Sequence, residues 1–94
     1  MDEELNAAIA AKAAVDTQST APLSSATITL LREAIRTATP ATMFLSGGHL
    51  SEARHEAVIA LSGLIAGPPT QERIDQAKGA VENWLKGLRQ ASLN

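Results

Sequence analysis

The clearest hydrophobic pattern in the chain lies near its C-terminus, where apolar residues recur every three or four positions. The members of this series are Ile74, Ala77, Val81, Trp84, Leu85 and Leu88. This spacing places them on one face of an α-helix that we expect to run from about residue 70 to 90.

A second helix is predicted just before it, from about residue 50 to 66. Its second half, Ala57 to Ala66, is apolar nearly all round, which is typical of a helix covered on every side. We therefore expect it at the centre of a bundle or in an interface between subunits. Gly67-Pro68-Pro69 is a strong C-terminal stop. So short a turn predicts that the two helices are antiparallel neighbours.

The N-terminal segment predicts a helix from Asp2 or Glu3 to about Val15. Acidic residues in its first turn suit the positive end of the helix dipole. We expect its packing face to consist of Leu5, Ala8, Ile9, Lys12 and Ala13. A polar stretch that ends in Pro22 follows and predicts a loop.

A further helix should begin near Leu23–Ser25, where a serine can cap it. Its apolar stripe is Ile28, Leu31, Ile35 and Ala38. We expect Pro40 to end this helix, because the residue before a proline avoids the α region. One short helical turn, closed by Gly47-Gly48, should then lead to the hairpin.

The predicted fold is therefore an all-α, small helical bundle with a C-terminal antiparallel helical hairpin. No run shows the period-two alternation of a strand. We expect a single domain over residues 1–94, with an N-terminal helix and loop in 1–21. A second helix and short turn occupy 22–48, and the hairpin occupies 49–94.

Composition adds an expectation about assembly. A chain of 94 residues that is rich in alanine, with one Phe, one Trp and no Tyr, builds a thin core. It has no Cys, so disulfides cannot reinforce it. Association between copies is the remaining way to stabilise so thin a core, and we expect a homo-oligomer. The residues expected in the core or at an interface are Phe44, Leu61, Leu64, Ile65, Val81, Trp84 and Leu88.

Charge and hydropathy limit the kinds of partner and the cellular compartment that we expect for this protein. The formal net charge is −2 and there is no block of Lys and Arg, so sequence-specific or backbone binding to DNA is not expected. The start, Met1-Asp2-Glu3-Glu4, lacks the cationic region of a signal peptide. The longest apolar stretch is about half of the ~20 residues that span a bilayer. These features predict a cytoplasmic protein with no membrane partner.

No catalytic site and no cofactor are predicted. The chain has no Cys nucleophile and no Gly-x-Ser-x-Gly elbow. Glu52 and His55 form one Glu-x-x-His unit, the spacing used by carboxylate-bridged di-iron bundles. Such a site needs a second unit and more carboxylates, so these two residues are only weak metal candidates. A solvated first turn of the helix, with Glu52 at the positive end of the helix dipole, explains them better.

Scattered cations are the candidates for a ligand site. Guanidinium groups bind phosphates through paired hydrogen bonds. The speculative ligand-binding residues are Lys12, Arg32, Arg36, Arg54 and Arg73. Most surface arginines simply remain solvated, and that alternative holds for each of them.

Parts of the chain resemble phage-encoded helical sponge proteins. The stretch Glu4 to Ala13, the segment Leu30-Leu31-Arg32-Glu33 and the closing Val81-Glu82-Asn83-Trp84 carry the resemblance. Those small oligomeric proteins counter CBASS-type immune systems by sequestering cyclic oligonucleotide signals. The resemblance implies nucleotide binding and immune evasion here. The family commonly stacks a base on a Tyr of its first helix, whereas the first helix of this chain has no aromatic residue.

Three functional hypotheses remain open. The first is a non-enzymatic interaction protein, such as an inhibitor, adaptor or chaperone, whose first two helices bind a partner helix through their apolar faces. The second is an oligomeric sponge for phosphorylated signal nucleotides held between subunits. The third is a metal-binding helical bundle at Glu52 and His55.

Overall fold

A computed structural model describes the backbone of residues 2–44 and 49–93 and the side chains of 3–39 and 50–90. These residues form four α-helices and no strand, which confirms the all-α prediction. The helices are α1 (Asp2–Thr17), α2 (Ser25–Phe44), α3 (His49–Ala66) and α4 (Gln71–Leu93).

Two helix starts are fixed by hydroxyl caps. The Ser24 Oγ accepts a hydrogen bond from the Thr27 backbone N–H at 3.1 Å. The Thr70 Oγ1 accepts one from the Arg73 backbone N–H at 3.2 Å. Each bond satisfies an amide that has no partner within its own helix, so α2 and α4 begin directly after these residues.

The four helices form a ring in which each packs against two neighbours. The contacts join α1 with α2, α2 with α3, α3 with α4, and α4 with α1. Arg36, late in α2, reaches Glu3 at the start of α1, so these two helices are antiparallel. The α3–α4 hairpin predicted from the short turn is also present. The bundle measures 39 × 20 × 18 Å.

The core is built from many small residues and one large aromatic. Trp84 is fully buried, and the whole stripe predicted for α4 faces inward with it. Leu61, Leu64, Val81 and Leu88 are buried as well, and Ile65 packs against them half-buried. The Phe44 side chain lies outside the described residues.

The packing face predicted for α1 is wrong for most of its residues. Ala8 is buried as predicted, but Leu5 and Lys12 are only half-buried. The buried face consists of Glu4, Ala8, Ala11 and Val15. Ile9 is 43% exposed, and Ala13 is exposed too. Alanines occur all round this helix, so apolar spacing alone does not set its orientation. The inward face also includes the Glu4 carboxylate, which a purely apolar stripe leaves out.

The end predicted for α2 at Pro40 is also wrong, because the helix continues through Pro40 to Phe44. A proline cannot donate a hydrogen bond to the Arg36 carbonyl, which weakens this turn. In the same part of the helix, the hydroxyls of Thr37 and Thr39 donate to the carbonyls of Glu33 and Ile35 at 2.8 and 2.6 Å. These extra bonds, together with packing of α2 against both neighbours, accompany the uninterrupted helix.

The expectation that α3 is covered on every side is not met within one chain. Among the described residues it packs against α2 and α4, with the Arg54 side chain alone reaching α1, and its outer face is exposed. Ile59 is 58% exposed there, and Gly63 and Ala66 are exposed beside it. The apolar character of this helix therefore exceeds what one copy of the bundle buries.

Candidate functional site

A buried charge cluster joins three helices across the core. The Arg54 Nε donates a hydrogen bond to Glu4 Oε2 at 2.6 Å, and Arg54 Nη2 donates to Glu4 Oε1 at 2.9 Å. The indole Nε1 of Trp84 donates to the same Glu4 Oε2 at 2.8 Å. Glu4 and Arg54 are 9% and 6% exposed. The carboxylate on α1 thus has three donors from α3 and α4.

The cluster spans the diagonal of the bundle. Helices α1 and α3 are not neighbours in the ring, yet Glu4 and Arg54 bridge them through their long side chains. A buried ion pair contributes little net stability, because desolvation offsets most of the attraction, but losing one partner is costly. Among the described residues, Arg54 Nη1 is buried without a hydrogen-bond partner, which adds to that cost. The cluster therefore links α1 to α3 and α4 through buried hydrogen bonds.

This placement removes Arg54 from the accessible cations. Its guanidinium is occupied by Glu4 inside the core, so a ligand in solvent does not reach it. Sequence reasoning did not single out Glu4. The signal that could have found it is the spacing of Glu4 with Ala8, Ala11 and Val15, which makes a complete helical stripe only if a carboxylate is allowed in it.

The other predicted ligand residues lie apart. Lys12 pairs with Asp16 one turn along α1 at 2.6 Å. Arg73 lies at the start of α4 and donates to the Pro68 carbonyl at 3.3 Å. Arg32 and Arg36 share the exposed side of α2. The structure does not bring these cations to one surface.

Arg36 forms an exposed network with two carboxylates. It donates to Glu33 on its own helix and to Glu3 Oε1 on α1 at 3.0 Å. The hydrogen bond from Arg36 holds the pKa of Glu33 below its usual 4.5, and the two carboxylates raise the pKa of Arg36. Both groups are therefore charged at neutral pH.

The weak metal candidates gain no further ligands. Glu52 and His55 are both exposed on α3. Within residues 3–39 and 50–90, no group of three or more His, Cys, Asp or Glu side chains is positioned to hold a metal ion. The geometry of the described residues does not assemble the di-iron pattern.

An open groove lies between α1 and α2 on the surface. Its volume is about 650 Å³. The residues that line it are Ala7, Ala10, Ser25, Ala26, Thr29, Leu30 and Glu33. Small side chains on both helices create this depression, because an alanine fills little of the space between two helix backbones.

The chemistry of the groove is apolar along its length and negative at one end. Leu30 is half-buried in it and presents the largest apolar side chain. Glu33 is the only charged residue of the lining, and it stays ionised beside Arg36. Such a surface can bind an apolar ridge with a cation beside it, and it offers no donor cluster for a phosphate.

No family model, curated protein or solved structure matches the chain. In the described part of the chain, no helix combines the length and the hydropathy that a bilayer crossing requires.

Proposed function

We propose that this chain is a non-enzymatic protein-interaction module that binds an amphipathic helix of a partner protein in the groove between α1 and α2. The α1–α2 groove itself is the observation that carries the proposal. Helix-in-groove recognition reads apolar anchors at positions i, i+3 or i+4, and i+7 of the bound helix.

The shape of the α1–α2 groove suits a partner helix. Ala7 and Ala10 on one wall and Ala26 on the other allow a third helix to approach closely. Leu, Ile or Phe side chains of the partner would fill the space that these alanines leave open. Burial of each such side chain contributes roughly 1.5–3 kcal/mol.

The charge of Glu33 should set the direction in which the partner helix lies in the groove. Glu33 marks the end of the groove that lies further along α2, whereas Ser25 and Ala26 mark its beginning. We expect the partner helix to place a Lys or Arg beside Glu33, since opposite charges at the rim of an interface fix register more than affinity.

Calorimetry with a synthetic helix tests the proposal. The probe is a peptide with leucines at i, i+3, i+4 and i+7 and lysines elsewhere, and its control is a scrambled peptide of the same composition. We expect a dissociation constant of about 1–100 µM for the probe and at least tenfold weaker binding for the scrambled peptide. Equal affinity for the two peptides would contradict helix recognition.

A matched pair of variants locates the binding. Ala26→Glu introduces a carboxylate into the groove at the second position of α2, where the helix dipole favours it, so the fold should tolerate it. We expect about tenfold weaker peptide binding. Gln71→Glu makes the same kind of change at the start of α4, outside the groove, and should leave binding unchanged.

The hypothesis of a sponge for signal nucleotides stays a prediction, and calorimetry can test it as well. No described observation favours it over helix binding, because the predicted cations do not converge. Heat released with a cyclic di- or trinucleotide, and none with the leucine-faced peptide, would replace the proposed function with nucleotide sequestration.

A further inference from the structure

The outer face of the α3–α4 hairpin is a second open surface, on the side of the bundle opposite the α1–α2 groove. In the ring of four helices these two pairs lie across from each other. The α3–α4 groove has a volume of about 490 Å³. Its lining consists of Glu56, Ile59, Ala60, Gly63, Arg73, Gln76, Ala80 and Asn83.

A knob and a hole lie side by side on this face. Ile59 projects from α3 and is 58% exposed. One turn further on, a Cβ on Gly63 would have no described atom within 4 Å other than those of the adjoining residues and the helix's own backbone, so the surface is open there. A bulky side chain next to an unfilled space is self-complementary if a second copy packs in the reverse direction.

Two unpaired charges flank the knob and the hole. Glu56 and Arg73 are both exposed, and among the described residues neither forms an ion pair. Arg73 starts on α4, but its guanidinium reaches back over the end of α3. Its Nη1 lies 2.7 Å from the position of a Cβ on Gly67 and donates to the Pro68 carbonyl.

The midpoint between these two charges along α3 shows where a two-fold axis would have to lie to pair them. Glu56 and Gly67 lie five and a half positions on either side of the point midway between Leu61 and Ser62. At 1.5 Å per residue this is about 8 Å in each direction. A two-fold axis at that point would stack α3 on its symmetry copy in antiparallel fashion and set each Glu56 against the Arg73 of the other copy.

We propose that the chain forms a symmetric homodimer through this face, with antiparallel α3 helices and two intermolecular Glu56–Arg73 ion pairs. The same axis brings Ala60 opposite Gly63 of the second copy and directs each Ile59 toward the open space beside that glycine. The dimer covers the apolar surface of α3 that one copy leaves exposed. It also leaves both α1–α2 grooves facing outward, so on the proposed function the dimer would offer two sites for partner helices.

Sedimentation equilibrium of the full chain tests this arrangement. We expect the unmodified protein to be a dimer. Glu56→Arg alone and Arg73→Glu alone each make both ion pairs repulsive. For each variant we therefore expect the dissociation constant of the dimer to rise about 10- to 100-fold at low salt. An equimolar mixture of the E56R and R73E chains should associate as tightly as the unmodified protein, because both pairs in the mixed dimer are again attractive.

Controls separate this interface from general charge effects. Glu82→Arg and Arg89→Glu reverse exposed charges of α4 outside the groove and should leave association unchanged. Circular dichroism checks that every variant keeps its helical content. A monomeric unmodified protein, single reversals that associate normally, or a mixture that does not recover would each overturn the proposal. None of these results bears on peptide binding to the α1–α2 groove.

Discussion

At the scale of single residues, Glu4 connects distant parts of the chain inside the core. It accepts hydrogen bonds from Arg54 and Trp84, which lie 50 and 80 positions away in the chain. Each of these partners would lose its only described side-chain acceptor if the carboxylate were removed. The energetic role of Glu4 is therefore to keep a buried cation and a buried indole satisfied.

Removal of the Glu4 charge should be strongly destabilising. For Glu4→Gln we expect a loss of roughly 3–5 kcal/mol in the free energy of unfolding, because Arg54 then stays buried without a counter-charge. Urea denaturation followed by the fluorescence of Trp84, the single tryptophan, measures it. Glu3→Gln on the exposed side of α1 is the matched control and should cost under about 1 kcal/mol.

A double variant distinguishes charge from packing. In Glu4→Gln with Arg54→Met, both charges are gone and the amide oxygen can still accept the hydrogen bond from Trp84 Nε1, so we expect a smaller loss of stability than in Glu4→Gln alone. A double variant that is less stable than the single one would show that the ion pair itself provides net stabilisation, contrary to our interpretation of the cluster.

The Glu33 carboxylate offers a test of the exposed network. Its pKa is held below 4.5 in the folded state by Arg36, so its contribution to stability is present above the unfolded value and is lost as pH falls through the folded pKa. A carbon-detected NMR titration should find the Glu33 midpoint below 4.5. In Arg36→Gln the midpoint should move up toward 4.5, and an unchanged midpoint would contradict the assigned cause.

At the scale of the helices, the glycines of α3 and α4 differ in what surrounds them. A Cβ on Gly79 would have no neighbour within 4 Å, and the same holds for Gly63. A Cβ on Gly87 would stand 2.9 Å from Leu50 Cδ1 and 3.8 Å from the Leu50 Cα. Gly87 therefore permits the close approach of α4 to the start of α3, whereas the other two positions have room for a side chain.

Alanine substitutions should reproduce this difference. Gly79→Ala gains helix propensity at no steric cost, and we expect stabilisation of about 0.5–1 kcal/mol. Gly87→Ala gains the same propensity but displaces the Leu50 side chain, so its net effect should be less favourable. Thermal denaturation of both variants provides the comparison, and a Gly87→Ala protein at least as stable as Gly79→Ala would argue against the close contact.

A helix was easier to predict when its inward face was apolar and its outward face was polar. The inward stripe of α4 is fully apolar and its outer side is polar, so spacing alone gives both its extent and its orientation. In α1, alanines surround the helix and its inward face includes Glu4, so spacing gives the extent but not the orientation. In α2, Pro40 is a local helix breaker that tertiary packing overrides.

At the scale of the whole molecule, the sequence predicts the hairpin and the fold class but not the candidate sites. The turn after Gly67 requires α3 and α4 to be adjacent. The α1–α2 groove exists because alanines from two separate helices meet, and the Glu4 cluster exists because long side chains of α1 and α3 meet across the core. Both depend on the relative placement of helices, which no local pattern contains.

The central claim, that the α1–α2 groove receives a partner helix, is tested most directly by NMR. The ¹⁵N-labelled protein would be titrated with the leucine-faced peptide, and its amide shifts followed residue by residue. We predict the largest shifts at Ala7, Ala10, Ala26 and Leu30, and their loss in Ala26→Glu. Saturable shifts confined to the α3–α4 face, or no saturable shifts at all, would contradict the claim.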